Sequence, residues 1–274
     1  MTDGPLTTAD EFRTAYREVL DEVPALVTPL DDAALAGPVG CPGWSVHDCV
    51  AHVTDVETIL LRRERPAHQA PAFGYVRSDF TAFLENGVDY RRGWTREQLL
   101  SEYREVTAER MRRLDAMSDA DLDVEGPGIF GTAPLKATLS IRIFDIWSHA
   151  QDIRRATQQP GGFDTLAARN ARNRMMRGIA ATLSSKGIAH DGDTVHIVFT
   201  EPVHFDRTIV FDGGRGRVVD SADNGATVTL RADASTLTVL CCGRCDDASA
   251  KERVMLEGDE ALGHAIVAGL AFTP

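Results

Sequence analysis

The chain has 274 residues, of which 29 are basic and 41 acidic, so its formal net charge is −12. With 43% hydrophobic and 26% charged residues, its composition is that of a globular protein and excludes a disordered or collagen-like chain. The acidic balance argues against nucleic acid as the main partner, because phosphate binding needs a basic surface. No apolar run is long enough for a membrane helix, and the first five residues lack the pattern of a signal peptide. Five cysteines, three of them crowded at 241, 242 and 245, form a poor disulfide framework, so we expect a cytoplasmic protein.

The first 160 residues follow helical periodicity. Thr8, Ser45 and Thr95 are each followed three residues later by an acidic residue or Gln, the pattern of a capping box at a helix start. Apolar residues then recur three or four positions apart, as on the buried face of a helix. The pattern predicts helices at about 9–30, 45–63, 80–88, 95–117 and 135–157. The four long ones favour a helix bundle.

The last 110 residues mix a helix with short strands. A helix is predicted at about 164–184 and another at 233–242, with a terminal helix from Asp259. Alternating or β-branched runs separated by Gly and Asp predict hairpins. The predicted strands lie at 195–199, 208–211, 217–219, 226–230 and 254–256. The fold class is therefore α+β, with the boundary placed near Pro160 and domains at 1–160 and 161–274.

The residues that point most directly to chemistry are His52, Asp145 and His149. His52 lies on the apolar stripe of the second helix, whereas Asp145 and His149 are four residues apart and share one helix face. Helix bundles build interior metal sites from side chains on facing helices. Two imidazoles and a carboxylate suit Zn²⁺ or another divalent first-row metal with one coordination position left open. From spacing alone, a hydrogen-bonded core histidine and a surface pair on the last helix are the alternatives.

Two segments carry a family resemblance. Residues 40–46 read GCPGWSV and are followed by AHV at 51–53, and residues 142–156 read RIFDIWSHAQDIRRA. They resemble the second-helix and fourth-helix signatures of the mycothiol-dependent maleylpyruvate isomerase family, which belongs to the DinB-like metal-binding bundles. Residues 256–262, LEGDEAL, are similar to the end of that family's C-terminal domain. The resemblance implies a DinB-like four-helix bundle followed by a small α+β domain related to sterol carrier proteins.

The resemblance also implies ligands and a cosubstrate. A divalent metal, usually zinc, would be bound by His52, the acidic residue at 145 and His149. Mycothiol, a low-molecular-weight thiol of actinobacteria, would be the cosubstrate. The family commonly has glutamate as the middle ligand, whereas this chain has the shorter Asp145, which must draw helix and metal closer or bind through a water. The identity of the substrate does not carry over, because the family includes many members of unassigned substrate.

Four further features of the sequence bear on function. Arg244, at a Gly-Arg similar to a family position facing the domain interface, could pair with a carboxylate of substrate or thiol, or lie on the surface. Asp152 could orient a ligand imidazole or form a salt bridge at a helix end. Cys242 and Cys245 form a C-x-x-C run, which we interpret as a packed helix end because no second such run and no thioredoxin-like context exist. The arginine-rich runs 110–113 and 169–177 are predicted to be solvated helix faces.

The leading hypothesis is a metal-dependent isomerase or S-transferase. Thiol sulfur would occupy the open metal position as a thiolate and add to a small electrophilic substrate, with Arg244 contacting substrate or cofactor. A non-catalytic ligand-binding protein with a structural metal and a metal-water hydrolase are the alternatives. Neither a nucleic acid nor a membrane is expected as partner, and the chain is expected to be a monomer or homodimer.

Overall fold

The computed structural model describes residues 3–128, 131–222, 225–244 and 248–273. The chain separates into a helical unit, Leu6–Ala167, and a second unit that contains residues 3–5 and the chain from Ala168 onward. The helical unit precedes a unit built around a five-stranded sheet, so the α+β prediction is confirmed. That 1–160 and 161–274 are separate domains stays a prediction.

Except for one short helix at Asp32–Leu35, which was not predicted, the helices of the first unit begin within one residue of the predicted positions. Thr8, Ser45 and Thr95 each accept a hydrogen bond from the backbone three residues later, and the reciprocal bond completes each capping box. Pro24 lies inside the first helix, which ends three residues earlier than predicted. The helices are α1 Ala9–Val27, α2 Asp32–Leu35, α3 Val46–Leu60, α4 Asp79–Arg91, α5 Arg96–Asp115 and α6 Leu135–Ala156.

Helix α3 lies at the centre of this unit, because it packs against α4, α5 and α6, while α1 packs against α5 and α6. Thirteen of its fifteen residues are buried, which leaves almost no solvent face. Charged residues on α3 must therefore find partners inside the bundle. The 3₁₀ turn Asp119–Asp123 and the hairpin of β1 Glu125–Gly128 and β2 Gly131–Pro134 connect α5 to α6 and were not predicted.

The second unit combines one long helix with a mixed sheet. The elements are α7 Leu166–Ser185, β3 Thr194–Phe199, β4 Phe205–Asp212, β5 Arg215–Val219, β6 Val228–Ala232, α8 Ala234–Cys241, α9 Ala248–Glu252, β7 Met255–Gly258 and α10 Glu260–Gly269. The strand order is β5-β4-β3-β6-β7, in which β3 and β6 are parallel and the other neighbours antiparallel. Alternate residues of β3 are buried, as expected for a strand with one face on a core.

The prediction that the arginine-rich runs are solvated faces is wrong at three positions. Arg110 is only 8% exposed and Arg169 and Arg172 are also buried. An arginine stem can be buried along apolar surface when its guanidinium finds polar partners, which periodicity does not reveal. Within the described residues, no helix has the length and apolar character that crossing a membrane requires.

Candidate metal centre

His52 of α3 meets Asp145 and His149 of α6 inside the helical unit. The Nε2 atom of His52 lies 3.2 Å from Oδ2 of Asp145, and Nε2 of His149 lies 3.6 Å from Oδ1. One ligand atom from each of the three residues lies within 4.8 Å of the others. One carboxylate oxygen thus faces each imidazole, and the three predicted residues converge on a common point.

The turn before α3 places two further side chains at this point. Val39 and Trp44 pair through their backbones at 3.0 Å, and the Trp44 amide donates to the Cys41 carbonyl at 3.1 Å. Gly43 has a φ of +74°, and a Cβ there would lie 2.2 Å from the ring of Tyr75, so the tight turn requires glycine. The turn folds Cys41 and Trp44 back over the start of the helix that carries His52.

Burial and neighbouring charges shift the pKa values of His52 and Asp145 in opposite directions. Burial lowers the pKa of His52, although Asp145 partly offsets this effect, so the imidazole is neutral at pH 7 and its nitrogen can bind a cation. Burial alone would raise the pKa of Asp145, but His52 and the Arg142 guanidinium outweigh it and hold that pKa well below its usual value. The aspartate is therefore an anion.

Arg142 connects the aspartate to a buried polar network. Its guanidinium contacts Oδ2 of Asp145, donates to Glu57 at 2.7 Å and donates to the Val53 carbonyl at 2.9 Å. Arg142 and Glu57 are completely buried, whereas the Asp145 side chain is 32% exposed. The carboxylate is thus held from the protein side and open on the solvent side. Tyr16 also donates to Glu57, at 2.7 Å.

The opposite nitrogen of His149 faces a second group of side chains. Its Nδ1 lies 3.3 Å from Oδ2 of Asp152 and 3.8 Å from Sγ of Cys41. Burial would lower the pKa of His149, but Cys41, Asp145 and Asp152 together raise it well above its usual value. Burial raises the pKa of the neighbouring Cys49 thiol to about 12, so that thiol stays protonated at neutral pH.

The Trp44 ring lies beside both imidazoles. The Trp44 ring centroid lies 5.1 Å from that of His52 and 5.5 Å from that of His149. Its indole N–H donates to Glu85 at 3.0 Å, and Tyr75 donates to the other oxygen of the same carboxylate at 2.9 Å. These bonds fix the indole plane, which shields the two histidines from bulk water on one side.

The donor set fits a divalent first-row cation. It offers two imidazoles and an anionic carboxylate on separate helices, the chemistry of a three-ligand zinc site. Nδ1 of His52 is buried and has no hydrogen-bond partner in the described part of the chain, whereas Nε2 of the same ring faces Asp145. The second set of three, Cys41, His149 and Asp152, shares His149 with the first.

The other predicted site residues lie in the second unit or beyond the described residues. Arg244 follows α8 and is half-buried, and its Nη1 donates to the Cys242 carbonyl at 3.0 Å. Its role toward a substrate stays a prediction. Cys242 is buried, and Cys245 lies outside the described residues, so the interpretation of the C-x-x-C run stays open to test.

Sequence reasoning missed Glu57, Arg142 and the role of Cys41. A signal existed for Glu57, which lies four residues after Val53 on the apolar stripe of α3, where an unpartnered charge would be costly. Arg142 lies three residues before Asp145 and hence on the same face of α6. Cys41 has no comparable signal, because only the folded turn brings it to His149.

Comparison with known structures and families identifies proteins with a similar fold and a matching family. Crystal structures of the mycothiol-dependent maleylpyruvate isomerase and of a variant of that enzyme both superpose with a TM-score of 0.59. Their identities are 18% and 17%, and the match covers 94% of this chain and 96% of each of theirs. At such identities the likeness concerns the fold. A comparison with curated proteins finds no significant match. The family model described as the mycothiol maleylpyruvate isomerase N-terminal domain matches residues 16–154, half of the chain and all three candidate ligands, so the chain belongs to this family.

Proposed function

We propose that this chain is a metal-dependent isomerase that uses mycothiol to act on a small electrophilic substrate of the maleylpyruvate type. The observation that carries the proposal is the convergence of His52, Asp145 and His149 within 4.8 Å in a chain of this family. Zinc is the first candidate among divalent metals, because it is commonly bound by imidazole and carboxylate with one position open.

The chain's own residues prepare the site in three ways. His52, neutral at pH 7, and anionic Asp145 supply a nitrogen and an oxygen ligand, and Arg142 holds the aspartate in place. Trp44 restricts access of water from one side. A cation bound there supplies a positive charge that lowers the pKa of a coordinated thiol, so that the sulfur is ionised at neutral pH.

The proposed reaction balances without an oxidant or reductant. The thiol sulfur forms a C–S bond to one alkene carbon, and the π electron pair moves toward the conjugated carbonyl oxygen. Rotation then takes place about the carbon–carbon bond that was the double bond of the alkene. The electron pair then returns, the double bond re-forms in the other configuration, and the C–S bond breaks to release the thiol. An S-transferase would instead retain this bond and release the adduct.

Metal content tests the ligand set. Protein purified without added metal should contain about one divalent ion per chain, as expected of a single three-ligand site. His149→Ala should lose the ion and stay folded. His68→Ala is the matched control, because His68 pairs with Asp89 at 2.7 Å in the same unit and outside this group. An ion retained at full occupancy in His149→Ala would show that the ligands are assigned wrongly.

Thiol binding tests the function. Mycothiol added to cobalt-loaded protein should produce the near-ultraviolet absorption of a sulfur–cobalt bond, and the metal-loaded enzyme should isomerise maleylpyruvate only when mycothiol is present. Product analysis distinguishes isomer from adduct. Hydrolysis without mycothiol, or ligand binding without turnover, would overturn the proposal. Arg244→Ala, with the exposed Arg217 changed as control, should raise KM for mycothiol or substrate if Arg244 contacts either one.

A further inference from the structure

His149 is buried between two polar groups, one at each ring nitrogen. On the Nε2 side lies Asp145, and on the Nδ1 side lie Asp152 and Cys41. A neutral imidazole carries a single proton, so a cation can bind one nitrogen only if the proton lies on the other. The partners of Nδ1 therefore decide whether Nε2 is available.

Asp152 is well placed to keep that proton on Nδ1. It is 1% exposed, and its Oδ2 lies 3.3 Å from Nδ1 of His149. The same oxygen accepts a hydrogen bond from the Cys41 thiol at 3.3 Å, and Arg155 contacts the other carboxylate oxygen. Both oxygens are held, so the carboxylate has a fixed orientation toward the imidazole.

We infer that Asp152, oriented by Cys41 and Arg155, is the positioning residue that keeps the His149 proton on Nδ1 and leaves Nε2 free to bind the cation. The inference rests on the proposed metal site and extends it to residues beyond the three ligands. Metal-bound histidines commonly donate their second N–H to a carboxylate, which fixes the ring orientation and raises the basicity of the ligating nitrogen.

Cys41, His149 and Asp152 could instead bind a second cation. Two observations favour the hydrogen-bonded arrangement. The Cys41 thiol already has an acceptor in Asp152, and Arg155 neutralises the carboxylate that a cation would need. A cation on Nδ1 would also remove the proton on which the use of Nε2 in a neutral ring depends.

The first test measures zinc affinity by competition with a chelating dye. Asp152→Asn should weaken zinc binding by about 10- to 100-fold, the usual effect of losing such a partner. Asp55→Asn is the matched control, because Asp55 is equally buried but pairs with Arg65 and Arg91, and it should bind zinc as the parent does. Cys41→Ala should weaken binding less than Asp152→Asn, and Cys41→Ser should restore it. Parent affinity in Asp152→Asn would overturn the inference.

The second test locates the proton. In zinc-loaded protein labelled with ¹⁵N-histidine, the His149 ring should show a protonated Nδ1 and a zinc-bound Nε2. This pattern should change in Asp152→Asn, whereas it would stay the same if Asp152 had only a structural role. Zinc bound to Nδ1, or two zinc ions per chain with one lost in Cys41→Ser, would overturn the inference. If His149→Ala loses zinc while Asp152→Asn keeps parent affinity, this inference fails alone. If His149→Ala retains zinc, the proposed function fails.

Discussion

Glu57 and Arg142 meet at 2.7 Å with both side chains completely buried. A buried charge that loses its partner cannot be hydrated, so the loss costs far more than the pair itself contributes. We expect Arg142→Met to lower the free energy of unfolding by about 3–5 kcal/mol, measured by urea denaturation in the presence of a chelator.

Two further variants test whether this loss of stability comes from the buried charges. Arg63→Ala removes a partly exposed arginine that pairs with Glu105 and Glu109, and it should cost only a small fraction as much. The double variant Glu57→Leu with Arg142→Met removes both charges of the pair, but it leaves the buried Arg110 without Glu57 and Asp145 without Arg142. It should therefore not recover the stability of the parent. A double variant as stable as the parent would contradict this account of the network.

The residue scale is where sequence reasoning predicted least. Periodicity placed Arg110 on a solvated face, yet its guanidinium lies 3.3 Å from Glu57 and 5.3 Å from the centre of the Tyr16 ring. That His52, Asp145 and His149 lie together was predictable, because helix spacing and family motifs both marked them. Glu57, Arg110 and Tyr16 come from three different helices, and their contacts depend on how those helices cross.

At the scale of the element, the start of α3 determines where His52 lies. The Ser45 hydroxyl accepts from the Asp48 amide at 3.2 Å, and the Asp48 carboxylate accepts from the Ser45 amide at 2.9 Å. We expect Ser45→Ala to destabilise the protein by about 0.5–2 kcal/mol, measured by thermal or urea unfolding. Ser45→Gly should lower the free energy of unfolding by only a few tenths of a kcal/mol. An equal loss of stability in the two variants would indicate that loss of the helix cap is not its cause.

The packing of α3 on α4 depends on a glycine. A Cβ on Gly87 would lie 2.0 Å from Cγ of Asp55, a side chain that Arg65 and Arg91 hold in place. Gly87→Ala should therefore destabilise the protein by about 1–3 kcal/mol, although alanine favours a helix. Gly93→Ala is the control, since nothing lies within 4 Å of its Cβ position. Equal unfolding midpoints for the two variants would show that α4 shifts to accommodate the methyl group.

Elements were predicted well where the sequence carries local signals. The capping boxes at Thr8, Ser45 and Thr95 marked three helix starts correctly because cap and helix lie within four residues. The short helix α2 and the hairpin of β1 and β2 were missed. Four-residue elements are too short for periodicity, and they depend on contacts with the rest of the fold.

At the scale of the whole molecule, a bound metal should appear as added stability. A ligand that binds only the native state stabilises it by about 2.7 kcal/mol at a free concentration about 100 times its Kd. Removing the metal with a chelator should therefore lower the thermal midpoint of the parent protein, measured by calorimetry. Asp145→Asn should show a much smaller difference between chelated and metal-supplemented samples. A parent midpoint that does not respond to chelation would contradict the metal site.

By itself, the sequence determined the helical first half, the strands of the second and the three residues that converge, because periodicity, capping and motif spacing are local. Tertiary structure decided which charges are buried and what they contact. Arg142, Glu57, Asp152 and Cys41 acquire their roles only where α3, α6 and the turn before α3 meet. The physical reason is that the cost of burying a charge depends on partners distant in the chain, and no local pattern records which partner the fold will bring.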